Sequence, residues 1–207
     1  MYTWMIEQQL MGYDLFFPQI RIDEVEWKIQ LPPFIEVMDN FITQYNRIPS
    51  QYEFNNEYIR SRNSQLKEIL DNYNTTEKRD QILQGICARA QRTYPSIIRD
   101  IHLHYLLIEE GFNVISTRED DISRGIDHII LHDNQPINIH CYVNTPRAKT
   151  ARQLKTNRHV EQGTHIDLPL DIYSNETKKV NDIYLYSKIH IYKLQQFLNI
   201  NQGWNYT

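Results

Sequence analysis

Past Gly111 the hydrophobic period of this chain drops from about four residues to two, and that drop limits the folds open to it. Before it, Ile97, Ile98, Ile101, Tyr105 and Ile108 line one face of a helix that Pro95 opens in its first turn. Gly111 stands where a helix commonly ends in a left-handed residue. After it, Phe112–Thr117 reads as a strand, Arg118–Gly125 as a charged turn, and Ile126–His132 as a second strand. Asp133 to Pro136 turns the chain into a third strand, Ile137–Val143. There Ile137, Ile139, Cys141 and Val143 point one way and Asn138, His140 and Tyr142 the other. A basic helical segment, a strand over Ile166–Ile172 and an amphipathic stretch with Ile191, Leu194, Phe197 and Leu198 complete the pattern. Helix, three strands, helix, strand, helix is the pattern of a mixed α/β (α+β) core.

The segment before this core reads as a mainly helical module, residues 1–92, ahead of the core over 93–207. Ile20, Ile22, Val25, Trp27, Ile29 and Leu31 include an alternating run that suggests an edge strand, stopped by Pro32-Pro33. Phe34, Val37, Met38, Phe41, Ile42 and Tyr45 then repeat at helical steps. Ser50 with Glu53 three residues later is a capping-box start for the next helix. Leu66, Ile69, Leu70 and Tyr73 mark another, and Ile82, Leu83, Ile86, Cys87 and Ala90 a further one ending before Pro95.

No stretch approaches the ~20 apolar residues of a membrane helix, and Met1–Leu10 lacks the basic start of a secretory signal. With only two cysteines, Cys87 and Cys141, a disulfide framework is excluded and a reducing, cytoplasmic setting is expected. The 28 Ile and 17 Asn against 4 Ala carry the bias of AT-rich coding, as in a low-GC bacterium, phage or mobile element. Net charge is −4, which argues against a generally basic nucleic-acid coat. The sum hides a division: residues 1–80 hold 8 bases and 13 acids, residues 81–207 hold 14 and 13. Arg147, Lys149, Arg152, Lys155 and Arg158, with His159, stand in a stretch without an acid between His140 and Glu161. Such a run on an acidic chain suits phosphates, its ordinary alternative being a solvated helix face.

Asp127 follows Arg124, Gly125 and Ile126 at the start of a strand, and Asn138 and His140 share one face of the next. His128 and His132 share a strand face and could join His140 at a metal, but four strand residues separate them by ~13 Å. His102 and His104, two apart on a helix, do not face the same way, and Cys87 reads as core. Tyr142, Tyr184, Tyr186 and Tyr192 could stack on bases, although cross-strand packing is the commoner use.

An acid on one strand and an acid-x-lysine pair on the next is the arrangement of metal-dependent nucleases. The run from Pro95 to Leu170 resembles the PD-(D/E)xK nuclease-like superfamily, about a third of the chain: a long helix with Arg99-Asp100, a strand, Gly125-Ile126-Asp127, a hairpin, a basic helix and a fourth strand. The resemblance implies a restriction-endonuclease-like mixed sheet flanked by helices, Mg²⁺ on Asp127, and a hydrolase acting on nucleic acid. It implies Asp127, Asn138 and His140 as catalytic, with the basic segment as the nucleic-acid-binding element. The chain departs from the pattern at the second acid and the lysine, where it has Asn138, Ile139 and His140. Asp100, Glu109 or Glu161 could supply the acid, and Lys149 or Lys155 the amine. Two functions follow: a divergent Mg²⁺-dependent nuclease of a bacterial or phage element, or a catalytically inactive scaffold binding a protein partner through its acidic N-terminal module, for example in phage defence. An ordinary metal-independent enzyme is a third, without a nucleophile motif to carry it.

Overall fold

The structure, a computed structural model, describes residues 1–117, 126–158 and 163–202, without the side chains of residues 151, 154–158 and 200–202. The expected turn with Arg124 and Gly125, as well as His159 and Glu161, lies outside the described residues, and Lys155 and Arg158 are described by backbone alone. Contacts divide the chain into two compact units: Met1 with Met5–Ile98, and Tyr2–Trp4 with Arg99–Thr207.

The first unit holds helices α1 (Thr3–Met11, apart from its first residues), α2 (Phe34–Tyr45), α3 (Gln51–Ser61) and α4 (Asn63–Asp71), with α5 (Thr76–Glu109) as far as Ile98. The capping box of α3 forms as expected: Glu53 N–H donates to Ser50 Oγ, and Ser50 N–H donates to the Glu53 carboxylate. Two expectations are corrected. The alternating segment 20–31 is not a strand; it contains a π-helical turn, Glu24–Lys28, closed by Ile29 N–H donating to Glu24 O at 2.8 Å. Its carbonyls find donors on α5, where Arg89 bonds Val25 O and Arg92 bonds Ile20 O and the Glu26 carboxylate. Alternation alone cannot reveal that the acceptors are met by side chains from so far along the chain. Gly85 gives the close approach this needs, since a Cβ there would lie 2.7 Å from Ile22 Cγ1.

Pro95, expected to open a helix, lies inside one: α5 runs unbroken from Thr76 to Glu109. A proline at this position cannot donate to the carbonyl four residues back, that of Gln91. Gln51 Nε2 takes over, donating to Gln91 O at 2.9 Å. The same amide donates to Phe16 O at 2.9 Å and accepts from Phe16 N–H at 2.7 Å. Gln51 is thus a fully buried, fully satisfied clamp on three segments.

In the second unit α5 ends in a Schellman motif, with Gly111 at φ 88° and Phe112 N–H donating to Leu107 O. Ile108, assigned to the buried stripe, is 47% exposed, while Leu103, Leu106 and Leu107 enter the core. Then come β1 (Asn113–Val114), β2 (His128–His132), β3 (Gln135–Val143), α6 (Pro146–Arg158), β4 (Thr164–Leu170), the hairpin β5 (Lys178–Val180) and β6 (Ile183–Leu185), and α7 (Lys188–Gln202). The sheet order is β1-β2-β3-β4, antiparallel up to β3 and parallel between β3 and β4. The β2–β3 turn is the pair Asp133 (φ 50°) and Asn134 (φ 60°), as in a type I′ hairpin. Pro169 is carried by β4, the last strand in the order, where a missing N–H is tolerated.

One face of the sheet packs Ile130, Ile137, Ile139, Ile166, Leu168 and Leu170 against α5 and α7. The opposite face carries Asn138 and His140, and there Arg152 of α6 bonds Asp167 of β4. A mixed four-stranded sheet lies between helices. Among the described residues no helix is long and apolar enough to cross a membrane.

Gln51→Leu leaves three part-buried backbone groups, Phe16 N–H, Phe16 O and Gln91 O, without this partner and is expected to lower unfolding free energy by about 2 kcal/mol in urea titration. Asn134→Gly, which suits the left-handed turn position, should raise it by about 0.5 kcal/mol.

Candidate functional site on the central strand

Polar chemistry in the second unit gathers on the two faces of β3. A strand buried on both sides tolerates polar side chains only where they find partners.

Just before β2, Asp127 Oδ2 accepts the backbone N–H of Cys141, whose side chain lies on the α5 face, at 2.6 Å. Burial raises the Cys141 thiol well above its ordinary pKa, and Asp127 and Asp100 push it the same way. Tyr186 is likewise raised, by burial first and then by Cys141 and Asp100, while its hydroxyl donates to Leu168 O at 2.7 Å. Arg99 is buried and donates Nε–H to Tyr184 O at 2.9 Å. The acids Asp100 and Asp127 therefore act on one thiol that stays protonated. Asp100, a substitute acid in the sequence reading, and Asp127, its first acid, both belong to this locale.

Further along the same face lies His128, 4% exposed, paired across the β2–β3 ladder with Ile139. Its Nε2 has no hydrogen-bond partner among the described residues. Burial, with a smaller effect of His104, whose ring centroid is 5.9 Å away, lowers its pKa to about 3. His128 is therefore neutral at pH 7. It cannot share a face with His140, because its cross-strand partner is Ile139 and His140 projects the opposite way. A His128–His132–His140 cluster is thus ruled out by parity.

On the α6 face, Asn138 and His140 are 3% and 5% exposed. The parallel ladder sets His165 beside Asn138 and Asp167 beside His140. Asn138 Nδ2 lies 3.4 Å from His165 Nε2, and His140 Nε2 lies 2.9 Å from His165 Nδ1. The two imidazole planes differ by only 3°, with centroids 5.2 Å apart. Nitrogens at 2.9 Å are closer than face-to-face rings bring their atoms, so this is an in-plane N–H···N hydrogen bond. His165 has no role in the sequence reading; its signal was the alternation His165, Asp167, Pro169 on a strand parallel to Asn138 and His140.

The basic segment is divided by the fold. Thr145 caps α6, its Oγ1 accepting from Ala148 N–H at 3.3 Å, and Arg147 and Lys149 are exposed on the first turn. Arg152 is turned inward onto Asp167, Nε to Oδ1 at 2.9 Å, with only 15% of its side chain exposed. Tyr142 senses this pair: its pKa is raised by burial first, then by Asp167, with Arg152 opposing. A cavity of about 490 Å³ lies beside β4 and α7, with His165, Asp167, His190 and Phe197 among its walls. Among the described residues no three His, Cys, Asp or Glu side chains gather as a metal set. Mg²⁺ needs one or two carboxylates when substrate phosphates supply the rest, and Asp127 and Asp100 are donors of that hard type.

No protein-family model, no curated protein and no solved structure matches the chain.

The lowered His128 pKa sets a sign for acid sensitivity. The unfolded chain takes up this proton near pH 6.5 and the folded one near pH 3, so the contribution is complete above 6.5 and shrinks as pH falls. His128→Leu is expected to reduce the stability lost between pH 7 and pH 4 by about 3 kcal/mol, read by urea unfolding at both pH values.

Proposed function

We propose that residues 99–202 form a PD-(D/E)xK-like, restriction-endonuclease-like module that acts on nucleic acid. One observation carries this reading: the order helix, antiparallel three-strand meander, helix and parallel fourth strand, with Asp127 immediately before the second strand. That is the order in which the resemblance places its elements and its first acid. Arg147 and Lys149, exposed on the first turn of α6, are the phosphate contacts, and Arg152 braces the helix on the sheet through Asp167. In cleavage Asp127 would hold Mg²⁺ together with substrate phosphate oxygens, the ion neutralising charge at the scissile phosphate.

The second reading, an inactive scaffold, is favoured by a different observation. Beside Asp100 and Asp127 stand a thiol and a phenol that burial keeps neutral, Cys141 and Tyr186. Neither group supplies the charge of a second metal carboxylate or of a lysine.

Incubation with single- and double-stranded DNA and RNA in Mg²⁺ or Mn²⁺ separates the two. Metal-dependent cleavage, abolished by Asp127→Asn, is the expected result; the amide keeps an acceptor for Cys141 N–H while removing the charge. Binding without cleavage favours the scaffold, and neither binding nor cleavage overturns the nucleic-acid reading. For binding, Arg147→Glu with Lys149→Glu should reduce the slope of log K against log salt by about 2, from the loss of two phosphate contacts. An unchanged slope would remove α6 from the interface.

A further inference from the structure

The contact between His140 and His165 has a direction. Asn138 presents its amide Nδ2 to His165 Nε2 at 3.4 Å, so that ring nitrogen accepts. In a neutral imidazole one nitrogen accepts and the other carries the proton, which leaves His165 Nδ1 as the donor. Its partner at 2.9 Å, His140 Nε2, then accepts, and the proton of His140 resides on Nδ1. Two features hold this order. The parallel ladder places Asn138 opposite His165, and Gly163, at φ 124°, brings the chain close to the amide, an added Cβ there lying 3.5 Å from Asn138 Nδ2. His165 is exposed whereas Asn138 and His140 are buried, so the exposed ring stands between two buried partners.

We propose that His165 is a positioning residue that fixes the plane and tautomer of His140, holding it with Nε2 as acceptor and Nδ1 protonated. The reasoning is that of a metal-bound or catalytic histidine whose far nitrogen is set by a hydrogen-bonding neighbour, with a second imidazole in place of the usual carboxylate or carbonyl. The charged neighbours are Asp167, the register partner of His140 and two residues along β4 from His165, and Arg152, which bonds it from α6. The meaning of this for nucleic acid rests on the reading above, in which His140 belongs to the site.

The test uses the full chain with ¹⁵N-labelled histidine at pH 8. In the wild type the His140 signals should report protonated Nδ1 and bare Nε2. His165→Gln retains an N–H donor and should preserve that pattern, whereas His165→Phe should move the proton of His140 to Nε2. Because His165 is exposed, neither substitution removes a core residue. A wild-type His140 protonated at Nε2, or a pattern unmoved by His165→Phe, overturns the proposal. Oligonucleotide binding by the same variants tests the other layer, with about a tenfold loss expected in His165→Phe and rescue in His165→Gln. If the tautomer moves while binding does not, positioning stands and the placement of His140 in a nucleic-acid site falls.

Discussion

Much of the second unit depends on one constraint: β3 has a partner strand on each edge and packed layers on both faces. A strand so enclosed usually reads as a continuous apolar run, yet this one contains Asn138, His140 and Cys141. Each therefore needs a fixed partner. Cys141 has its backbone N–H on Asp127 and its thiol beside Tyr186; Asn138 and His140 have His165. These requirements recruit Asp127 from just before β2, His165 from β4 and Tyr186 from the segment before α7. An apolar strand would have packed without any of them, so the polar residues specify the arrangement more than they stabilise it.

The helical first unit shows the same logic with one side chain. A proline inside a helix ordinarily costs about 3 kcal/mol or more, partly because it strands a carbonyl. Gln51 offsets that part by bonding Gln91 O, while its other groups hold Phe16. The side chain that rescues α5 also fixes the path of the irregular segment after α1. The capping box of α3 starts at the residue before Gln51, so Ser50 and Glu53 set where the clamp sits.

Local signals were legible in the sequence and remote ones were not. Ser50 and Glu53, the periodic faces of α2 and α7, the Gly111 stop and the alternation of β3 act within a few residues, and the elements they mark formed. Phe197 is an exception in detail, 47% exposed where Ile191, Leu194 and Leu198 are buried. The unbroken α5 and the π-helical turn at Glu24–Lys28 were not legible, because Gln51, Arg89 and Arg92 act across 40, 64 and 66 to 72 residues. For the candidate site, the residue types on β2 and β3 could be read, but their division between faces needed the register. His165 entered only through parallel pairing with β3, which a strand pattern does not disclose.

That division bears on where a phosphate would approach. The α5 face at Cys141 and Tyr186 is packed into the core, Tyr186 fully, and a dianionic ligand loses too much hydration to enter such a place without metal. The α6 face has exposed Arg147, Lys149 and His165 and is the side on which an anion keeps water while gaining cations. Asp127 precedes the first ladder residue of β2, so its carboxylate is not confined to either face by strand alternation. A phosphate reaching both Asp127 and the α6 cations would lie at the end of the sheet where β2 begins. On the proposed reading the net charge of −4 would be no obstacle to such an approach, because association depends on local potential rather than on the summed charge.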